Sequence, residues 1–167
     1  MNKHTNWSRL AAGALALSLL SGCGAEKAAE SKTVTLDPSN PVSLTVWHYY
    51  NGAQQSAFDE LVSEFNATVG KEKGIYVEGY SQGSVSDLEK AVTAAAGSVG
   101  SQELPNIFST YADTAYAMQQ QGKLADLSRF FSAEELSEYV DAYIQEGYFH
   151  DDGALYIFPV AKSTEIT

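Results

Sequence analysis

The stretch VSLTVWHYYNG, residues 42–52, decides the fold class of this chain. Residues 42–47 alternate in side-chain polarity and are rich in β-branched residues, which predicts a strand. After a polar turn, apolar residues recur with helical spacing from Phe58 to Val69, which predicts an amphipathic helix. A second strand is predicted at 75–80. A strand, a crossover helix and a further strand are typical of a parallel sheet.

The same alternation continues towards the C-terminus. Two Ser-x-x-Glu patterns resemble capping boxes, in which serine and glutamate side chains satisfy the free N–H groups where a helix begins. The pattern predicts, in chain order, a helix from Ser86 to about residue 99, a strand at 107–109, a helix at 113–121, a helix from Ser132 to Ile144 and a strand at 154–158. We therefore expect an α/β fold with a mostly parallel sheet flanked by helices.

The start of the chain predicts export. Residues 1–22 combine Lys3 and Arg9 with an apolar run that is too short to span a membrane, as in a secretory signal peptide. Residues 20–23, Leu-Ser-Gly-Cys, resemble the bacterial lipobox, whose cysteine receives a diacylglyceryl group. Cys23 is the only cysteine, and we expect its lipidation. The alternatives are an ordinary signal with a chance cysteine, or a lone buried thiol.

Charge and composition exclude several function classes. Removal of residues 1–22 would take the formal net charge from −11 to −13, which argues against nucleic-acid binding. With Cys23 acylated, no thiol remains for a disulfide or a thiolate metal site. Residues 23–41 lack periodicity and predict a flexible tether before a single domain at 42–167. We expect a monomer outside the cytoplasm, held at the cell membrane by its lipid anchor.

Candidate ligand-binding residues follow three predicted strands. In open parallel sheets, the loops at the carboxyl ends of the strands form the ligand crevice. A sugar site needs flat aromatic side chains for C–H faces and polar side chains for hydroxyl groups. The three loops supply both kinds: Trp47, His48 and Tyr49, then Gln82 and Ser84, then Tyr111 and Asp113.

Each candidate also has a plainer structural interpretation. Trp47 at a strand end is typical of a core residue. His48 fits a polar loop residue better than a base or a metal ligand. Asp113 fits a helix cap, and Gln82 and Ser84 fit ordinary turn residues.

Nothing in the sequence indicates an enzyme or a cofactor. Outside the signal peptide the histidines are His48 and His150, and neither lies in a catalytic motif. Turn chemistry explains Asp-Asp-Gly at 151–153 better than a metal site does. We find no EF-hand spacing and no glycine-rich phosphate loop.

Four ordered motifs resemble the extracellular solute-binding lipoproteins of bacterial ABC importers. VSLTVWHYYNG follows the lipobox and the tether, and FDELVSEFNA at 58–67 resembles the first helix of the family. LPNIFSTYADTAYAMQQQGKLADLSRF at 104–130 resembles its third strand, helix and connector. DDGALYIFPVAKSTEI at 151–166 resembles the hairpin that leads towards its hinge. The chain departs from the family pattern at Asn106, where aspartate is usual, and at Ile157, where glycine is usual.

The resemblance implies a periplasmic-binding-protein-like fold of type II. Residues 42–167 would form a truncated N-terminal lobe whose second lobe is missing, and Lys162 and Ser163 near the hinge would contact the ligand. It also implies capture of a carbohydrate, or of a glycerol-phosphate-type polyol, and delivery to the permease subunits of an importer. The alternative from another class is a surface lipoprotein with a structural or adhesive role.

Overall fold

A computed structural model of the protein describes residues 35–97 and 103–160. The predicted signal peptide, Cys23 with its predicted lipidation, most of the predicted tether, and Lys162 and Ser163 lie outside the described residues. Their predicted roles therefore stay predictions.

The described residues form short strands connected by helices and 3₁₀ turns. Within these ranges, no helix has the length and apolar character of a membrane span. The elements are β1 (Val42–His48), α1 (Gly52–Ala67), α2 (Val69–Lys73), β2 (Ile75–Ser81), α3 (Val85–Ala96), β3 (Ile107–Phe108), α4 (Ala112–Gln120), a 3₁₀ turn (Leu127–Arg129), α5 (Ala133–Ser137), α6 (Asp141–Ile144) and a second 3₁₀ turn (Gln145–Gly147).

The strands form a parallel sheet in the order β2-β1-β3, which confirms the predicted fold class. Trp47 packs with Leu88 of α3 and Met118 of α4 in the main core cluster. The next residue, His48, contacts Phe58 of α1, with ring centroids 4.6 Å apart. Successive strand residues point to opposite faces of a sheet. Helices α3 and α4 therefore cover the face of Trp47, and α1 covers the face of His48.

Two asparagine side chains add hydrogen bonds to the strands of this sheet. Asn66 of α1 donates to the Val77 carbonyl and accepts the Val77 N–H, both at 2.8 Å, so it satisfies the free side of β2. Asn106 accepts the Thr45 N–H at 2.9 Å and extends the pairing of β1 with β3. The amide that stands where the family pattern has aspartate is thus part of the sheet.

The two predicted capping boxes have different outcomes. The box at Ser132 is confirmed, because its hydroxyl accepts the Glu135 N–H and the Glu135 carboxylate accepts the Ser132 N–H. The prediction of a capping box at Ser86 is wrong, because the N-cap of α3 is Ser84. Ser84 has extended backbone and accepts the Asp87 N–H at 3.1 Å, so α3 begins earlier than expected.

The continuous helix predicted from Ser132 to Ile144 is wrong, because α5 ends at Ser137 and α6 begins at Asp141. Val140 adopts extended backbone as the residue before α6 and is 60% exposed. With little packing to favour helix, a β-branched residue at this position does not continue it.

The strand predicted at 154–158 is also wrong. Only Leu155 pairs in a strand-like way, through one antiparallel bridge to Tyr148. The Leu155 carbonyl accepts the Leu127 N–H at 2.7 Å, and its N–H donates to the Asp126 carboxylate at 3.2 Å. These bonds to a 3₁₀ turn replace the ladder that a strand would need.

Candidate ligand-binding site

Three loops leave the carboxyl ends of the parallel strands, at the edge of the sheet where ligands bind in open α/β folds. We call them the first loop (residues 49–51), the second loop (82–84) and the third loop (109–111). They follow β1, β2 and β3 respectively. The sequence predicted their convergence, and the structure brings them together.

Backbone hydrogen bonds continue the sheet into the loops. The Gln82 N–H donates to the His48 carbonyl at 2.8 Å, which joins the second loop to the end of β1. The Ser109 N–H donates to the Trp47 carbonyl at 2.9 Å, which joins the third loop to the same strand. Both outer loops therefore start from fixed positions beside the central strand.

Side chains tie the first loop to the second. The Ser81 hydroxyl donates to the Tyr50 carbonyl at 2.8 Å, and the Asn51 amide donates to the carbonyls of Tyr49 and Gly83. These bonds hold the first loop across the end of β2. Sequence analysis did not single out Asn51, although the turn signal Tyr-Asn-Gly marked its position.

Tyrosines form the aromatic part of this edge. The rings of Tyr49 and Tyr50 lie 5.3 Å apart, and Tyr111 of the third loop is 59% exposed. Burial, and then the nearby phenols of Tyr50 and Tyr111, raise the pKa of Tyr49. The first and third loops thus present their phenol groups close together. Tyr50 lies among these candidates and was not singled out from the sequence.

The polar candidates differ in what their side chains already do. Gln82 is half-buried and Ser84 is exposed, but the Ser84 hydroxyl caps α3. Asp113 lies exposed in the first turn of α4, where one carboxylate oxygen accepts the Thr114 N–H at 2.7 Å. It is not the N-cap, which is Tyr111, so its carboxylate stabilises the helix dipole from within the first turn.

Trp47 and His48 are buried in β1, which corrects the expectation that they belong to the loop after the first strand. Trp47 is 5% exposed and belongs to the core, and His48 is 1% exposed on the opposite face of the sheet. The strand extends through His48, so both side chains point into the packed layers and not into the loop. The core interpretation of Trp47 is therefore the correct one.

His48 nevertheless contacts the first loop through a hydrogen bond to Tyr50. Its Nδ1 accepts the Tyr50 N–H at 3.2 Å, so the ring proton of the neutral imidazole lies on Nε2. Nε2 is buried and has no hydrogen-bond partner among the described residues. Burial lowers the pKa of His48, and the carboxylate of Asp59 opposes this shift. The imidazole is thus held in its neutral form.

The chemistry of this edge suits a neutral, hydroxyl-rich ligand. Tyrosine rings can stack on the C–H face of a sugar, and amide and carboxylate groups can bond its hydroxyl groups. No group of three or more His, Cys, Asp or Glu that could hold a metal occurs within 35–97 and 103–160.

Two grooves of the described residues lie away from the three loops. One of about 550 Å³ runs between α1 and β2, beside Asp59, Asn66 and Gly79. Another of about 520 Å³ lies beside Tyr148 and His150. Neither contains a residue of the three loops. We assign the site by its chemistry and topology and not by its volume.

Solved structures of binding proteins share this fold. The cyclic α-maltosyl-1,6-maltose binding protein of Arthrobacter globiformis is 28% identical over 69% of this chain, with a TM-score of 0.51. A family 1 extracellular solute-binding protein of Alicyclobacillus acidocaldarius is 21% identical over 70%, with a TM-score of 0.55. The maltose/maltodextrin-binding domain of Bdellovibrio bacteriovorus, bound to maltotriose, is 16% identical over 69%, with a TM-score of 0.54.

The likeness covers 27% of each of these three proteins, so the matched part of this chain spans about a quarter of their length. No protein-family model and no curated protein matches the chain. The described residues therefore have the fold of the family 1 extracellular solute-binding proteins, the family that the sequence motifs of this chain resemble.

Proposed function

We propose that this protein is the solute-binding lipoprotein of an ABC importer, and that it captures a carbohydrate outside the cytoplasm without chemically changing it. The observation that carries the proposal is the joining of three loops at the carboxyl edge of the sheet. The first loop supplies Tyr49, Tyr50 and Asn51, and the loops on either side of it supply Gln82 and Tyr111. Aromatic faces next to planar amides are what a sugar site requires.

The structural neighbours support the same substrate class. Proteins named for a cyclic maltosyl-maltose and for maltose or maltodextrin share the fold, and the first is 28% identical to this chain. Because all named neighbours bind solutes, transport is a better interpretation than a structural or adhesive role.

Lipid anchoring and delivery are further parts of the proposal. Cys23 after Leu-Ser-Gly would carry the acyl chains, and two or more such chains hold a protein firmly on a membrane. The captured solute would then pass to permease subunits of the importer, with Lys162 and Ser163 completing the ligand contacts.

Titration calorimetry on the whole protein tests the capture of a carbohydrate. We expect saturable binding of at least one of maltose, maltotriose or mannotriose, and weaker or no binding of glycerol phosphate. Tight binding of glycerol phosphate alone would assign the site to polyol phosphates. No binding across the panel, together with binding to a protein partner, would replace this function by the adhesive one.

A further inference from the structure

His48 occupies an unusual position for a titratable group. It is 1% exposed and lies between the ring of Tyr50, with centroids 5.2 Å apart, and the ring of Phe58 at 4.6 Å. A Cβ added at Gly79 would lie 3.5 Å from its Nε2, so β2 also closes on the imidazole. The side chain has little room to leave this place.

One hydrogen bond connects this buried ring to the first loop. Nδ1 accepts the Tyr50 N–H at 3.2 Å, and only an unprotonated Nδ1 can accept. On protonation both ring nitrogens become donors, so Nδ1–H would face the Tyr50 N–H. The loop would lose a bond and gain a repulsive contact at the same position.

The groups around the imidazole oppose one another. From α1, the Asp59 carboxylate favours the protonated form, and the ring faces of Phe58 and Tyr50 also favour a cation. From β2, Gly79 and the paired Ser81 bring no charge. Burial disfavours the cation and is the larger effect, since it lowers the pKa of His48 below its usual 6.5.

We propose that His48 is a positioning residue that holds the first loop in its ligand-binding arrangement only while the imidazole is neutral, so that acid weakens solute binding. This inference rests on the proposed function, because Tyr49, Tyr50 and Asn51 belong to the proposed site. Protonation would displace the Tyr50 backbone, whose carbonyl is also bonded to Ser81.

The size of the effect follows from the fraction of neutral molecules. One pH unit below the midpoint of His48 about a tenth of the molecules remain neutral, so the apparent affinity falls about tenfold. Because burial lowers the pKa of His48 below its usual 6.5, the loss belongs to acidic solution and is absent at neutral pH.

The test combines NMR of the free protein with binding of maltotriose. In the whole protein without ligand, the His48 imidazole and the Tyr50 amide should titrate with one midpoint. His150→Asn is the matched control, because His150 is exposed and its loss should leave that midpoint unchanged. A Tyr50 amide that does not follow the His48 titration would overturn the proposal.

His48→Asn separates positioning from simple packing. An asparagine oxygen can replace Nδ1 as acceptor and cannot titrate, so maltotriose binding should persist and become independent of pH. His48→Leu removes the acceptor and should weaken binding at every pH. An unchanged acid loss in His48→Asn would contradict the proposal. If no sugar binds at any pH while Tyr50 still titrates with His48, the proposed function fails and the coupling of His48 to the loop stands.

Discussion

Asn66 is the residue whose side chain replaces a missing strand neighbour, because it bonds both backbone groups of Val77 on the free side of β2. Asn66→Ala should lower the free energy of unfolding by about 1–3 kcal/mol, since both backbone groups lose a partner. Urea unfolding measures this. Gln54→Ala, exposed on the same helix, should stay within about 0.5 kcal/mol. Equal effects of the two variants would show that the paired bonds contribute nothing specific.

Tyr111 is the exposed aromatic of the site, and its truncation tests the stacking role. Tyr111→Ala should weaken sugar binding by about 0.5–1.5 kcal/mol, or roughly two- to tenfold, while the unfolding free energy stays nearly constant. Tyr76→Ala removes a tyrosine of similar exposure from β2, 49% against 59%, and should leave binding unchanged. Calorimetry compares the two variants. The stacking role is wrong if Tyr76→Ala weakens binding as much as Tyr111→Ala.

At this scale, the sequence predicts the loops better than the side chains that face a ligand. Tyr49, Gln82 and Tyr111 were placed in the correct loops because strand ends follow from apolar alternation. The core position of Trp47 was one of the two interpretations that its place at a strand end allowed. The burial of His48 was not predicted, since the pattern cannot show whether a strand ends one residue later. Tyr50 was not singled out because its place depends in part on a hydrogen bond from Ser81, which is distant in sequence.

The N-cap of α3 can be tested directly, because the structure assigns it to Ser84 and the sequence predicted it at Ser86. The Ser84 hydroxyl accepts the Asp87 N–H, and this helix buries Leu88 and Val92. Ser84→Ala should cost about 1 kcal/mol of unfolding free energy, whereas Ser86→Ala should change it by less than about 0.5 kcal/mol. Thermal or urea unfolding distinguishes them. A larger loss of unfolding free energy in Ser86→Ala than in Ser84→Ala would show that Ser86 is the cap, as the sequence predicted.

The connection between the first 3₁₀ turn and Leu155 depends on the charge of Asp126. The Ser128 hydroxyl lowers the pKa of this carboxyl below its usual 3.8, and burial acts in the opposite direction. The N–H groups of Ser128 and Leu155 and the charge of Arg129 lower the pKa further. A lowered carboxyl pKa contributes stability above pH 3.8, and this stability is lost as the pH falls through the lowered value.

Asp126→Asn should therefore lower the unfolding free energy at neutral pH by about 1–3 kcal/mol and reduce the loss below about pH 4. Unfolding curves across this pH range measure both effects. Asp151→Asn, in an exposed turn, should leave the acid loss as it is. An unchanged acid loss in Asp126→Asn would show that its carboxylate does not supply this stability.

Among the elements, β1, α1, β2 and α3 were predictable, α2 was not predicted, and the elements after α4 were less predictable. The first strands and helices carry clear alternation or helical spacing, and they pack against one another. The predicted helix from Ser132 to Ile144 breaks where Val140 is exposed, and the predicted strand at 154–158 lacks a partner strand among the described residues. Local pattern reports a tendency, and packing decides whether it is realised.

At the scale of the whole molecule, we propose that the three joined loops bind carbohydrate together. The sheet order β2-β1-β3 places the loop of the central strand between the other two, so all three can contact one ligand. Neither of the two grooves includes these loops, so binding is expected to be weak unless further surface covers the ligand. A residue-resolved measurement suits such a site better than an affinity alone.

Amide NMR spectra of the protein, recorded during titration with maltotriose, test this claim most directly. We expect saturable shift changes confined to the three loops, with the largest at Tyr49, Tyr50 and Tyr111 and none beside Tyr76. Absence of any change with a panel of sugars, or changes confined to the groove beside Tyr148 and His150, would contradict it.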